Sequence, residues 1–138
     1  MAIPTREDTY LVNVSVGNLW VGTFDTHSGG EVDSEESKYR PGGMDEEISL
    51  GGRQTIGNVT VGRYYDVLRD HSIYKWLCRQ AGKTRGNVWW VPLTVNGHQV
   101  GEVVQETGTL KRVQRSDIDS MGGDAATLEL EFTIDLVA

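Results

Sequence analysis

The chain has 138 residues, 38% of them hydrophobic, a size and content suited to one domain around one core. It carries 20 acidic against 13 basic residues, for a net charge of −7 with no clustered Lys/Arg face, which argues against tight binding to nucleic-acid phosphates. The lone Cys78 excludes an internal disulfide, no apolar run approaches the ~20 residues that cross a bilayer, and MAIPTREDTY has no basic-then-apolar leader. The expectation is a protein folding in a reducing cytoplasm, outside any membrane.

In chain order, residues 10–16 (YLVNVSV) alternate Val12, Val14 and Val16 against Leu11, Asn13 and Ser15, as a half-buried strand does. Gly17-Asn18 then turns the chain into LWVGTFD, giving an N-terminal hairpin. The next segment, Asp25 to Gly52, is acidic and poor in apolar residues. Residues 25–50 hold eight carboxylates against Lys38 and Arg40, so they carry net −6 of the chain's −7. A segment of this composition buries too little apolar surface to offset its ordering entropy, and is expected to be a long inter-strand loop ordered by a partner.

TIGNVTVGRYY (55–65) predicts a third strand with Val59 and Val61 on one face and bends or bulges at Gly57 and Gly62. One helix is expected over 70–81. Asp70 or Ser72 would cap it, Ile73, Trp76, Leu77 and Ala81 would form its apolar stripe, and Gly82 would end it. Val88 to Val95 and His98 to Gln105 flank Asn96-Gly97, a dipeptide suited to a two-residue hairpin turn. In Trp89-Trp90 the alternation of a strand directs one indole to the core and the other outward. A further strand follows at Thr109–Arg115. The last strand, TLELEFTIDLV, sets Leu128, Leu130, Phe132, Ile134 and Leu136 against Glu129, Glu131, Thr133 and Asp135. About seven strands and one helix predict a mainly β fold, an antiparallel β-sandwich or partly open barrel, as a single domain over 1–138.

Chemistry-bearing motifs are missing from this pattern. His27, His71 and His98 have no ligand spacing, the carboxylates lack the alternation of a calcium loop, and neither a phosphate-binding glycine loop nor a nucleophile elbow occurs. Cys78, between Leu77 and Arg79, is expected to be a small packing residue. The expectation is no catalytic residue, no metal and no cofactor.

Three stretches, YRPGGMDEEISLGGRQTIGNVTVGRYYD (39–66), HSIYKWLCRQAG (71–82) and the long Asn-Gly hairpin, together resemble bacteriophage tail tube proteins. These are small β-barrel subunits that stack as hexameric rings into the inner conduit of the tail. The resemblance is one of layout over most of the chain. It implies a structural virion protein, made and assembled in the host cytoplasm, whose main partner is itself. Sheath, tape-measure, tail-tip and tail-terminator proteins would be further partners, and DNA a passing cargo. It also implies that the segment after the first hairpin, about 25–52, reaches neighbouring subunits, with Tyr39, Arg40, Met44, Glu46, Glu47, Ile48, Leu50 and Arg53 as contact candidates. A negative wall repels phosphates, which makes Glu102, Glu129, Glu131 and Asp135 candidates for the lumen. The nearest alternative is the tube component of a contractile injection or type VI secretion system. More distant readings are a monomeric β-barrel binding module with Trp89 or Trp90 in its pocket, and a hydrolase using the acidic segment.

Overall fold

A computed structural model describes residues 6, 9–39, 42, 48–118 and 121–138. Among these are nine strands and one helix, in the order β1 (Tyr10–Val16), β2 (Leu19–Phe24), β3 (Thr26–Gly29), β4 (Val32–Tyr39), β5 (Ile48–Ile56), β6 (Val59–Tyr64), α1 (His71–Gln80), β7 (Arg85–Pro92), β8 (Val104–Arg115) and β9 (Thr127–Val137). Seven strands form one antiparallel sheet ordered β2-β1-β7-β8-β9-β6-β3, and β4 and β5 pair with each other as a separate two-stranded sheet. The mainly β, one-helix expectation holds.

The sheet curls around a core of alternating valines and leucines. Val12, Val14 and Val16 from β1 meet Val59 and Val61 from β6, Val88 from β7, Leu110 from β8, and Leu128, Leu130, Phe132 and Ile134 from β9, all buried. Helix α1 adds the fully buried Leu77, with Ile73 and Trp76 packed against the cluster, so its stripe at positions i, i+3 and i+4 joins the core.

How the sheet's two edges come together determines its shape. Strands β2 and β3 occupy opposite edges of the sheet, yet only Asp25 separates them in the chain. The chain therefore steps directly from one edge to the other, and the Asp25 N–H donates to the Gly62 carbonyl (2.9 Å) where β3 begins to pair with β6. Between β2 and β6 there is no ladder. The side chain of Arg63 fills that seam: its Nη1 donates to the carbonyls of Val21 (2.9 Å) and Thr23 (3.3 Å), and its guanidinium lies 4.4 Å from the Phe24 ring centroid. Gly22, at φ +114°, faces it across the seam; a Cβ there would come within 3.1 Å of Nη1. The result is a partly open barrel.

Arg63 also ties the seam to the helix. Its Nη2 donates to Asp70, the helix N-cap residue, and both side chains are buried. Asp70 further accepts from Arg69 Nε (3.1 Å), Arg69 Nη2 (3.1 Å) and the Asp66 N–H (3.0 Å).

Several expectations are corrected. Most of the stretch between Asp25 and Gly52, expected as a loop, is β3 and the β4–β5 hairpin. Its polar residues pair strand to strand, and the ladder takes up the backbone groups that β4 and β5 turn toward each other. The third strand is interrupted at Gly57-Asn58, where β5 ends and β6 begins, while Gly62 sits in a regular ladder. A turn forms, but it centres on Val95-Asn96, with the Gly97 N–H donating to the Thr94 carbonyl (2.9 Å) and Gly97 following at φ +84°, so the loop is one residue longer than the two-residue Asn96-Gly97 turn expected. Strand pairing around it nevertheless lapses to the single bridge Leu93↔Gln99, because residues 94–103 are exposed and have no surface to pack on. The segments expected as His98–Gln105 and Thr109–Arg115 supply one twelve-residue strand, β8, kept continuous by register shifts at Thr107/Gly108 and Leu110/Arg112. Leu136 is exposed beyond the end of the core. Cys78 is exposed too, because it lies on the face of α1 away from Ile73 and Leu77.

Burial alone would raise the Asp70 carboxyl, but hydrogen bonds from Arg69 and the Asp66 N–H, with the charge of Arg63, outweigh it and hold the group below its ordinary value. Asp70→Ala strands a buried guanidinium and should cost about 3–5 kcal/mol in urea unfolding, whereas Arg63→Met combined with Asp70→Leu should recover much of the loss. Because the folded carboxyl titrates below the unfolded one, the stabilisation is complete above the unfolded value of about 3.9 and is lost as pH falls through the folded value. The gap between wild type and Asp70→Ala should therefore narrow in acid.

Candidate assembly interface

Three features of the fold could meet a neighbouring molecule. The first is the β4–β5 arm. It leaves the barrel through Gly29 and Gly30, both at positive φ (+89° and +79°), where a Cβ on Gly29 would lie 1.9 Å from the Asn58 carbonyl oxygen. It returns through Gly57, whose N–H donates to the Glu31 carbonyl (2.8 Å). Two tight crossings thus fix the root. Along the arm the register runs from Val32↔Ile56 to Tyr39↔Ile48, with a shift between Ser34 and Glu36, and the hairpin pairs with no strand of the barrel.

Of the contact candidates, Tyr39 and Ile48 face each other at the distal end of the ladder, Leu50 pairs with Ser37, and Arg53 is exposed in β5. Arg40, Met44, Glu46 and Glu47 lie outside the described residues. The arm therefore brings Tyr39, Ile48, Leu50 and Arg53 onto one two-stranded ladder.

The second feature is the polar surface of the barrel, where the four lumen candidates differ. Glu102 is exposed in the segment between β7 and β8, and Glu129 is exposed on β9. Glu131 is half-buried and takes Arg112 Nε (3.1 Å), Asn58 Nδ2 (3.1 Å) and Lys111 Nζ (3.6 Å). Asp135 receives both Arg85 Nη atoms (2.9 and 2.8 Å), a fork that lowers its pKa and raises that of Arg85. Two of the carboxylates expected to form an acidic face are thus matched by cations from β7 and β8. A neutral network continues the surface: Thr107 Oγ1 and Gln105 Nε2 donate to Asn87 Oδ1 (2.8 and 3.0 Å), and Thr23 Oγ1 donates to Asn13 Oδ1 (2.8 Å).

The third feature is aromatic. Trp90 packs against the core and Trp89 turns outward, as the alternation predicted, but the partner of Trp89 is an unforeseen one: Trp20 of β2, stacked at 5.7 Å and 30° and itself largely exposed. The cross-strand neighbours Asn13↔Trp89 and Ser15↔Trp20 place them on adjoining rows. A pre-stacked indole pair, with Trp20 exposed and Trp89 half-buried, is a candidate anchor with little side-chain entropy left to lose.

One buried and one part-buried polar pair were not foreseen from sequence. Arg63–Asp70 is one; the other joins His27 Nε2 to Glu106 Oε1 at 2.6 Å, linking β3 to β8 beside the root of the arm. A charged residue within an apolar run, such as Arg63 in VTVGRYY, is the signal that could have exposed the first. Among the described residues no group of three or more His, Cys, Asp or Glu could hold a metal ion, and no helix is long and apolar enough to cross a membrane.

No family model matches the chain, and no curated protein matches it. Solved structures do. A chain of the PVC sheath-tube complex of an extracellular contractile injection system, in its extended state, superposes with a TM-score of 0.76 at 16% identity, covering 98% of this chain and 90% of that one. A chain of the six-fold-symmetrised baseplate of the anti-feeding prophage gives 0.74 at 20% identity, with 100% and 96% covered. One from the tube-terminating cap of the same prophage gives 0.72 at 15%, with 100% and 91% covered. The whole chain thus has the fold of these particle components, at identities where the likeness is one of fold.

Proposed function

We propose that this chain is a structural tube subunit of a phage-tail-like contractile particle, that it assembles by itself into stacked hexameric rings, and that it has no enzymatic role. The observation that carries the reading is the end-to-end match in fold to chains of sheath-tube, baseplate and cap complexes, with little of either chain left over. A six-fold-symmetrised particle among them supports the hexamer.

The architecture supplies a physical reason for assembly. Strands β2 and β3 end the large sheet, and among the described residues the outer edges of β4 and β5 are also without a strand partner. Open edges invite indiscriminate pairing, and a closed ring of identical subunits covers them. The β4–β5 arm, rooted rigidly but paired only with itself, would lie across the neighbour, with Tyr39, Arg40, Met44, Glu46, Glu47, Ile48, Leu50 and Arg53 at the contact. Sheath, tape-measure, tail-tip and terminator proteins would bind the finished tube. The neighbours in fold favour a contractile injection particle; the bacteriophage tail, with DNA as cargo, is the second reading and rests on the sequence resemblance. For that cargo the lumen would present Glu102, Glu129, Glu131 and Asp135.

Purified chain, concentrated and imaged by negative-stain electron microscopy, should form rings or hollow tubes; a monomer whose size is independent of concentration would instead favour a binding module. Deleting residues 31–47 removes most of the arm and leaves the barrel ladder intact, so the variant should unfold cooperatively yet form no tubes. Normal tubes from it would remove the arm from assembly. Replacing Glu129, Glu131 and Asp135 by their amides leaves Arg85, Lys111 and Arg112 without their carboxylate partners. Particles carrying that change should release a polyanionic cargo more slowly, and unaltered release would move the lumen to another face.

A further inference from the structure

The cations of this acidic chain are concentrated. Between Arg63 and Arg85 there are six Lys or Arg residues against only Asp66 and Asp70. Arg63 and Arg69 are consumed by Asp70, and Arg85 by Asp135. Three others are not. Lys75 and Arg79, four residues apart on α1, share the helix face opposite Ile73 and Leu77, and Lys83 follows in the turn beyond; all three are exposed. Among the described residues none of the three has a carboxylate within ion-pair distance. Arg115 of β8 flanks them, its guanidinium 5.9 Å from the Tyr74 ring.

The arm has the complementary excess. Glu31, Asp33, Glu35 and Glu36 stand against Lys38 along β4 and its root, and Glu31 and Asp33 are exposed. Within one chain the two excesses do not meet. The arm is rooted at the N-terminal end of β6, α1 begins beyond its C-terminal end, and among the described residues no ion pair joins arm to helix. Glu31 and Asp33 on one side, and Lys75, Arg79 and Lys83 on the other, are therefore placed to meet on different copies.

We propose that β4 of one copy docks along the cationic face of α1 of a neighbouring copy, with Glu31 and Asp33 meeting Lys75, Arg79 and Lys83. The inference rests on the tube reading and adds the landing site of the arm. A second copy fits better than a nucleic acid, because the chain's net charge of −7 repels phosphates over a Debye length while the arm brings its carboxylates to the patch directly. The contact is heterologous, helix on one side and strand on the other, which is the kind that propagates through a ring or stack.

Cys78 makes the contact directly testable, since it is exposed on α1 between Lys75 and Arg79. In assembled full-length Asp33→Cys protein a short bismaleimide should link Cys78 of one copy to position 33 of the next, giving a ladder of covalent multimers that vanishes in Asp33→Cys/Cys78→Ser. Lys75→Glu/Arg79→Glu should raise the concentration needed for assembly by about tenfold or more, and adding Glu31→Lys/Asp33→Lys should restore it. Circular dichroism and thermal melting of each variant separate lost assembly from lost folding. Tubes that form without the cross-link, or at unchanged concentration in Lys75→Glu/Arg79→Glu, would overturn the docking and leave the tube reading standing. A DNA duplex that binds wild type but not that variant, with assembly unaffected, would overturn it in favour of nucleic acid. A wild type that remains monomeric at every concentration would overturn both readings.

Discussion

The buried Arg63–Asp70 pair is the constraint on which the rest of this architecture depends. A seven-stranded sheet whose edges approach without pairing would leave the carbonyls of β2 facing an apolar interior, and Arg63 answers them from β6 with one guanidinium. A buried ion pair is usually a weak source of stability, because desolvation of both groups offsets their attraction. Here nearly every donor and acceptor around it has a partner: two backbone carbonyls and a carboxylate for Arg63, and Arg69 with a backbone N–H for Asp70. Only Arg63 Nε is without one. The pair therefore acts chiefly as a positional lock. It fixes where α1 starts, and so where Leu77 enters the core and which helix face is left to solvent.

From that lock the arm inherits a fixed base. Strand β6 carries Arg63 near one end and Val59 at the other, where β3 and β9 hold it and the chain crosses into the arm. An isolated two-stranded hairpin is marginal in water, so the arm's own ladder contributes little independent stability. Its orientation at the base is set by the crossings at Gly29, Gly30 and Gly57.

The sequence made the barrel legible and the arm much less so, for a physical reason. The strands of the barrel bury one face, so β1, β6 and β9 declare themselves by alternation, and Val12, Val14, Val59, Val61, Leu130 and Phe132 fall where that pattern puts them. α1 declares itself by Ile73, Trp76 and Leu77, whereas Asp70, expected as its cap, makes no side-chain capping bond because its carboxylate is taken by Arg63, Arg69 and the Asp66 N–H. The strand VDSEESKY carries no apolar alternation, so it reads as polar coil although it pairs with β5 along most of its length. The same blindness hid the partners of polar residues. Nothing local to β9 says that Glu131 faces Arg112 or that Asp135 faces Arg85, because both pairings depend on strand order and on register shifts in β8. Of the candidate interface, the segment was identified from its charge, but its hairpin form and its glycine root were not.

The charge distribution carries the argument one step further. On β9 two of the three acidic residues are matched by cations from β7 and β8, so the barrel wall is closer to neutrality than its sequence implies. Of the exposed charges outside those pairs, Glu31 and Asp33 lie at the arm and its root, and Lys75, Arg79 and Lys83 lie on α1 and the turn after it, two separate places. A subunit with segregated charge orients its copies before contact, since the long-range field favours the encounter in which arm approaches helix and disfavours arm against arm. Neutralising both excesses at once requires a polymer in which every copy offers its arm and receives another. In such a polymer the acidic segment is half of an interface, and the helix that closes the barrel provides the other half.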